Sequence, residues 1–173
     1  MSRSKSSTSS QSQRPFVMQA LTLDYLVEGN VQPGDELTSI LLGGWEYYKS
    51  RCLLTLTDAR VQPTGNLTTP TLSVSQWVLQ HRTGLVALIP RDEAGTQALL
   101  KAAPSKTFSL RAVMYAGSYV IRASLIPGDL FEKAFNPAKD AEIDCQLPGA
   151  QLSRLTAPWL VLNSQLVQGY HPA

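Results

Sequence analysis

The sequence predicts a mainly β protein with short helices, built as two similar small β-barrel or roll repeats packed as a pseudo-twofold pair. Three observations carry this. Tyr25 to Leu41 lies over Tyr119 to Phe135 without a gap, sharing the tyrosine and a Pro-Gly-Asp turn, Pro33-Gly34-Asp35 in one and Pro127-Gly128-Asp129 in the other. Leu67 to Ser75 lies over Leu155 to Asn163, with identities at Leu67/Leu155, Thr68/Thr156, Pro70/Pro158 and Leu72/Leu160. From Val17 to Val31 the apolar residues recur with period two, the spacing of a strand with one wet face. A repeated unit sets architecture first, because each copy is one piece of supersecondary structure.

Composition bounds the answer. The chain has 173 residues, 43% of them apolar, enough for one ordinary domain or two very small ones. Its net charge of +2 is concentrated at the N-terminus: Arg3, Lys5 and Arg14 are three of its 15 basic residues, leaving 12 against 13 acidic. The remaining chain is near neutral, which gives no support to nucleic-acid binding through a broad cationic face.

Residues 1–14 hold seven serines, Thr8, two glutamines and no apolar residue after Met1. Such a segment buries too little to offset its ordering entropy, and it reads as a disordered Ser-rich tail. The first repeat is expected over 15–90. From Val17 the chain alternates, with Leu21, Leu23, Tyr25, Val27 and Val31 on one parity, predicting one long strand with Gly29 as a bulge. Pro33-Gly34 breaks it, and Asp35 is placed to cap a short helix carrying Leu37, Ile40 and Leu41. Strands follow over 53–61, 69–79 and 84–89, separated by Pro-Thr-Gly-Asn and His-Arg-Thr-Gly turn chemistry.

A linker over 91–105 carries a helix capped by Asp92 through Ala98, Leu99 and Leu100 and stopped by Pro104. The second repeat, over 106–173, begins with two strands bent near Gly117. Asp129 and Glu132 then form a capping box, Asn136 to Asp140 a bare loop, and 141–147 and 159–168 further strands. A copy of about 70 residues is marginal alone, so the two are expected to pack together.

The chain lacks the phosphate-loop, dinucleotide, zinc-protease, Cys-x-x-Cys and nucleophile-elbow patterns, so no cofactor, metal or catalytic residue is assigned and the expectation is a non-enzyme. Cys52 and Cys145 have no Cys or His neighbour at ligand spacing and read as half-buried thiols in strands. His81 and His171 read as turn residues rather than a pair across the pseudo-twofold axis. Asp35 and Asp129 read as helix caps, and Asp58 and Asp144 as turn-forming groups at strand ends. Without an apolar run of about 20 residues or a secretory h-region, the expectation is a cytoplasmic protein with no membrane span.

The most distinctive cluster is Gly43 to Arg51, where aromatics interleave with cations. Trp45, Tyr47, Tyr48, Lys49 and Arg51, with Arg3, Lys5 and Arg14 of the tail, are therefore the candidate partner-binding residues. The function expected is an assembly or adaptor subunit that meets a protein partner, or its own copies, through strand edges and the tail. The alternative is a nucleic-acid or nucleotide-binding module, with rings stacking on Trp45 or Tyr47 and phosphates on Lys49 and Arg51.

Leu54-Thr-Leu-Thr-Asp-Ala59, the Thr-Pro strand after it and Gly84-Leu-Val-Ala-Leu-Ile-Pro90 make the first copy resemble a small bacterial β-rich domain of unknown function. That domain has a Pro-Gly turn, a short helix and a Leu-Thr-Asp-Ala strand. The resemblance implies the fold and no site, and the second copy departs from it at Asp144-Cys-Gln-Leu.

Overall fold

The computed structural model describes residues 15–31, 52–65, 70–80, 84–102, 107–127 and 134–173. These form one open antiparallel sheet of ten strands with one short helix. In chain order the strands are β1 (Phe16–Thr22), β2 (Tyr25–Val31), β3 (Cys52–Pro63), β4 (Leu72–Gln80), β5 (Leu85–Pro90), β6 (Leu110–Ala116), β7 (Tyr119–Leu125), β8 (Phe135–Cys145), β9 (Arg154–Asn163) and β10 (Gly169–Pro172). The helix α1 spans Glu93–Ala102. Across the sheet the order is β10-β6-β7-β8-β9-β5-β1-β2-β3-β4. The mainly β class is as expected. Closed barrels are not: the sheet ends at β4 and at β10, and β5 pairs directly with β9, so segments 15–90 and 106–173 share one sheet.

Within each segment the strands run in the same order, fifth, first, second, third, fourth. The registers agree residue for residue. Ala20 faces Val27 where Met114 faces Ile121. The ladder between β2 and β3 shifts between Glu28 and Asn30, and that between β7 and β8 shifts between Arg122 and Ser124. Opposite each shift an aspartate adopts the left-handed conformation, Asp58 with φ 49° and Asp140 with φ 52°. One extra residue in an antiparallel ladder bends and twists the strand, so both segments are bent at the same point. The second sequence block is out of structural register, however. Val61 faces Leu72 where Ile143 faces Leu155, so Leu72 rather than Leu67 stands in the place of Leu155.

Several boundaries differ from expectation for identifiable reasons. The single strand over 17–31 is a hairpin. The Thr22 hydroxyl accepts from the Tyr25 amide at 2.9 Å and donates to the Tyr25 carbonyl at 3.0 Å, closing a tight turn that alternation alone does not reveal. The Asn136 to Asp140 segment is not a loop but the start of β8. Pro137 is tolerated there because the last β7 partner is Ala138, so its missing N–H falls beyond the β7 ladder. The final strand is two: β9 ends at Asn163, whose side chain accepts from the Gln165 amide at 3.1 Å and caps a 3₁₀ turn, Ser164–Leu166, before β10. The Asp92 cap stands as expected. Its Oδ1 accepts from the Gly95 amide at 2.7 Å, while Oδ2 accepts from the Val17 amide at 2.8 Å, tying α1 to β1. The Pro33–Asp35 and Asp129–Glu132 features lie outside the described residues.

Two apolar clusters form the core. One gathers Phe16, Met18 and Ala20 of β1 with Leu54, Leu56, Leu79, Leu85, Leu88, Leu99, Phe135 and Val161. The other gathers residues of β6 to β9 with Leu21, Leu26, Val86, Ala87 and Ile89. Successive strand residues point to opposite faces, so β1 and β5 feed both clusters and are buried on both sides. That is why Leu85-Val-Ala-Leu-Ile-Pro90 reads as an unbroken apolar run. Among the described residues one short helix packs on this sheet, and the bulges bend its strands.

A Cβ on Gly29 would lie 2.9 Å from the Thr57 carbonyl oxygen and 3.0 Å from the Leu56 Cβ. Both neighbours are fixed in β3. Gly29→Ala is expected to lower stability by about 1–3 kcal/mol in urea unfolding, whereas Gly169→Ala, with open space around it, should change little.

Candidate interaction surface: the joint and the two sheet ends

The joint between the two segments is built from three contacts. Strands β5 and β9 pair at Ala87 with Leu162 and at Leu88 with Val161, all four fully buried. The Asn163 side-chain amide donates to the Leu85 carbonyl at 2.8 Å. Tyr119, at the start of β7, reaches into the β1–β2 turn: its hydroxyl lies 3.1 Å from the Thr22 carbonyl, 3.3 Å from the Leu23 carbonyl and 2.9 Å from the Thr64 hydroxyl. A phenol has one proton to give, so it donates to the carbonyls and accepts from Thr64. Tyr119 and Thr64 are both buried. Loss of solvation pushes the Tyr119 phenol up to about 12; the Thr64 bond opposes this, and the nearby Cys145 and Asp24 add to it.

A shallow cleft of about 290 Å³ opens beside this tyrosine, lined by Leu23, Asp24, Tyr25, Thr64 and Leu147 among others. On the outer face of β6 to β9, charges of alternating sign form a ladder. Arg122 pairs with Asp144, and Arg154 bridges Glu142 at 2.8 Å and Asp144 at 3.2 Å. These pairs are partly exposed to solvent, so each contributes about a few tenths of a kcal/mol to 1 kcal/mol and serves strand register more than stability. Asp144 lies near the end of β8, as expected, but as an ion-pair partner rather than a turn former, and Asp58 is a bulge residue inside β3.

The sheet ends are the other distinctive surface. Strand β4, Leu72-Ser-Val-Ser-Gln-Trp-Val-Leu-Gln80, contains neither a charge nor a proline, the usual devices that keep an edge from pairing. Its Val78 is exposed, and Tyr25 packs against Trp77 at a tilt of 57° with ring centroids 6.0 Å apart. Strand β10 places Tyr170 at the opposite end, also exposed. Beside it the Tyr115 hydroxyl meets His171 Nε2 at 3.3 Å.

Of the residues singled out by sequence, Trp45, Tyr47, Tyr48, Lys49, Arg51, Arg3, Lys5 and Arg14 lie outside the described residues, as do His81, Asp35 and Asp129. His171 lies in β10 rather than in a turn. Cys145 is a partly buried free thiol, as expected. Among the described residues no group of three His, Cys, Asp or Glu side chains gathers as metal ligands, and no helix is long and apolar enough to cross a membrane. Sequence reasoning missed Tyr119 as a buried residue of the joint and β10 as an edge strand. The signal for the first was present, since Tyr25 and Tyr119 head the repeated block; the four-residue β10 has too little alternation to register. Comparison with protein-family models, with curated proteins and with solved structures returned no match.

Tyr119→Phe removes the hydroxyl from three neighbours, of which Thr22 and Thr64 are buried, and is expected to cost about 1–3 kcal/mol in urea unfolding. The folded protein holds the phenol proton more tightly than the unfolded chain, whose tyrosine titrates near 10.0. Stability from this group is complete below about pH 10 and is lost as pH rises through about 12. Denaturation midpoints measured across that window should fall in the wild type and fall less in Tyr119→Phe.

Proposed function

We propose that this chain is a non-enzymatic assembly or adaptor subunit that makes protein–protein contacts through the ends of its sheet, with the Ser-rich segment 1–14 as a second contact element. The observation that carries this is the uncharged nine-residue edge of β4, with Val78 exposed on it, together with exposed Tyr170 on the opposite edge strand. An edge strand offers a row of backbone donors and acceptors, and pairing with a strand of another chain satisfies them while alternate side chains select the partner. The equal strand order and equal bulges of the two segments support reading them as two copies of one unit, related to the small bacterial β domain that Leu54 to Ala59 resembles. Duplication of a unit with two complementary edges gives a sheet with one such edge at either end.

Photoreactive residues placed at Val78 and Tyr170 test the reading. The expected result is cross-linking to protein from both positions in cells of the source, with exposed positions far from the edges, such as Glu93, giving none. A chain that is strictly monomeric and yields no protein cross-link at either edge would contradict it.

A further inference from the structure

We infer that β4 of one chain pairs antiparallel with β10 of a second copy, with Val78 opposite Tyr170 and Leu79 opposite Gly169, repeating between chains the β5–β9 joint found within each. The inference rests on the sheet ends being contact surfaces and names their occupant.

The register fixes the pairing. Thr55 faces Val78 and Leu54 faces Leu79, where Pro137 faces Val161 and Asn136 faces Leu162. Ala20 faces Leu88 and Leu21 faces Ala87, where Met114 faces Tyr170 and Tyr115 faces Gly169. Val78 and Leu79 thus hold the places of Val161 and Leu162, and Tyr170 and Gly169 those of Leu88 and Ala87. Inside the chain, Leu88 pairs with Val161 and Ala87 with Leu162. Carried to the ends, the same joint sets Tyr170 against Val78 and Gly169 against Leu79. The second half presents at β9 the edge that β4 presents, and the first half presents at β5 the edge that β10 presents.

Side-chain exposure agrees independently. Tyr25 (39% exposed), Val78 (41%), Tyr115 (41%) and Tyr170 (44%) are large apolar residues at the surface. Their counterparts at the internal joint, Tyr119, Val161, Leu21 and Leu88, are at most 1% exposed. Each of the four is exposed because, at the ends of the sheet, the neighbouring half that covers its counterpart belongs to another molecule. Tyr25 gains a particular role. Tyr119 donates to the β1–β2 turn, and the matching turn in the second half is Ala116-Gly117-Ser118, so Tyr25 would place its hydroxyl on the Ala116 and Gly117 carbonyls of the next chain.

The contact is head to tail, so it propagates until the rotation per chain closes a ring or leaves a filament. The same chain's own β10 is a poorer occupant for β4, because the two strands stand at opposite ends of an open sheet.

The test uses two differently tagged full-length chains, one carrying Val78→Cys and the other Tyr170→Cys, each with Cys52→Ser and Cys145→Ser, co-expressed and treated with a short bis-maleimide. Mass spectrometry should find 78–170 links between the two tags. Light scattering of the unsubstituted protein should give a multiple of the single-chain mass. Val78→Lys and Tyr25→Ala should each weaken self-association roughly tenfold or more, the range of a lost central anchor. Links of 78 with 78 or 170 with 170 alone, a 78–170 link confined to one chain in the double-cysteine variant, or an unsubstituted protein of single-chain mass would each overturn the inference. If the edges then still cross-link to other proteins, self-pairing fails alone; if they cross-link to nothing, the assembly reading fails with it.

Discussion

The pairing of β5 with β9 is the contact on which the rest of the structure depends. Only Ala87–Leu162 and Leu88–Val161 are in register across it, yet both clusters draw residues from either side. Phe135 and Val161 enter the cluster of the first segment, and Leu21, Leu26, Val86, Ala87 and Ile89 enter that of the second. A five-strand unit of about 70 residues buries too small a fraction of its surface to be secure alone. Joined edge to edge, each unit completes the other's core. The buried Tyr119 hydroxyl fixes the approach, because an unsatisfied phenol there would cost more than the hydrogen bonds it makes.

This joint also explains the asymmetry of two nearly matching halves. Tyr25 and Tyr119 occupy the same place in their hairpins, but one lies under the adjoining half and the other at the surface. Environment, not identity, separates them: the phenol of Tyr119 is held protonated by desolvation, while Tyr25 rests against Trp77. The edge strands β4 and β10 keep the registers that β9 and β5 have at this joint, so the two sheet ends match its two sides in backbone pairing.

Much of the fold was legible in the sequence where the physics is local. Asp92 as a cap, Gly29 at a bulge, Gly117 at a turn and the apolar run of β5 are dictated by residues within one turn or strand. The Tyr-headed repeat was legible because β2 and β7 keep one spacing. What escaped has non-local causes. The hairpin at Leu23-Asp24 continues the parity of the flanking strands, and its turn depends on one threonine hydroxyl. Pro137 argued for a loop, and only the end of the β7 ladder makes it harmless. The Leu67 block matched Leu155 in letters, but the pairing of β3 with β4 and of β8 with β9 puts Leu72 there instead. The surface was the least legible part, since Val78 and Tyr170 differ from core residues only in which neighbours the topology gives them.

Native-state hydrogen exchange across the joint tests the central claim that the two segments form one sheet. The account predicts that the amides shared between β5 and β9, around Leu88 and Leu162, exchange only through global unfolding and rank with the slowest in the protein. It would be contradicted if those amides exchanged through a low-energy opening while segments 15–90 and 106–173 each kept their own protection.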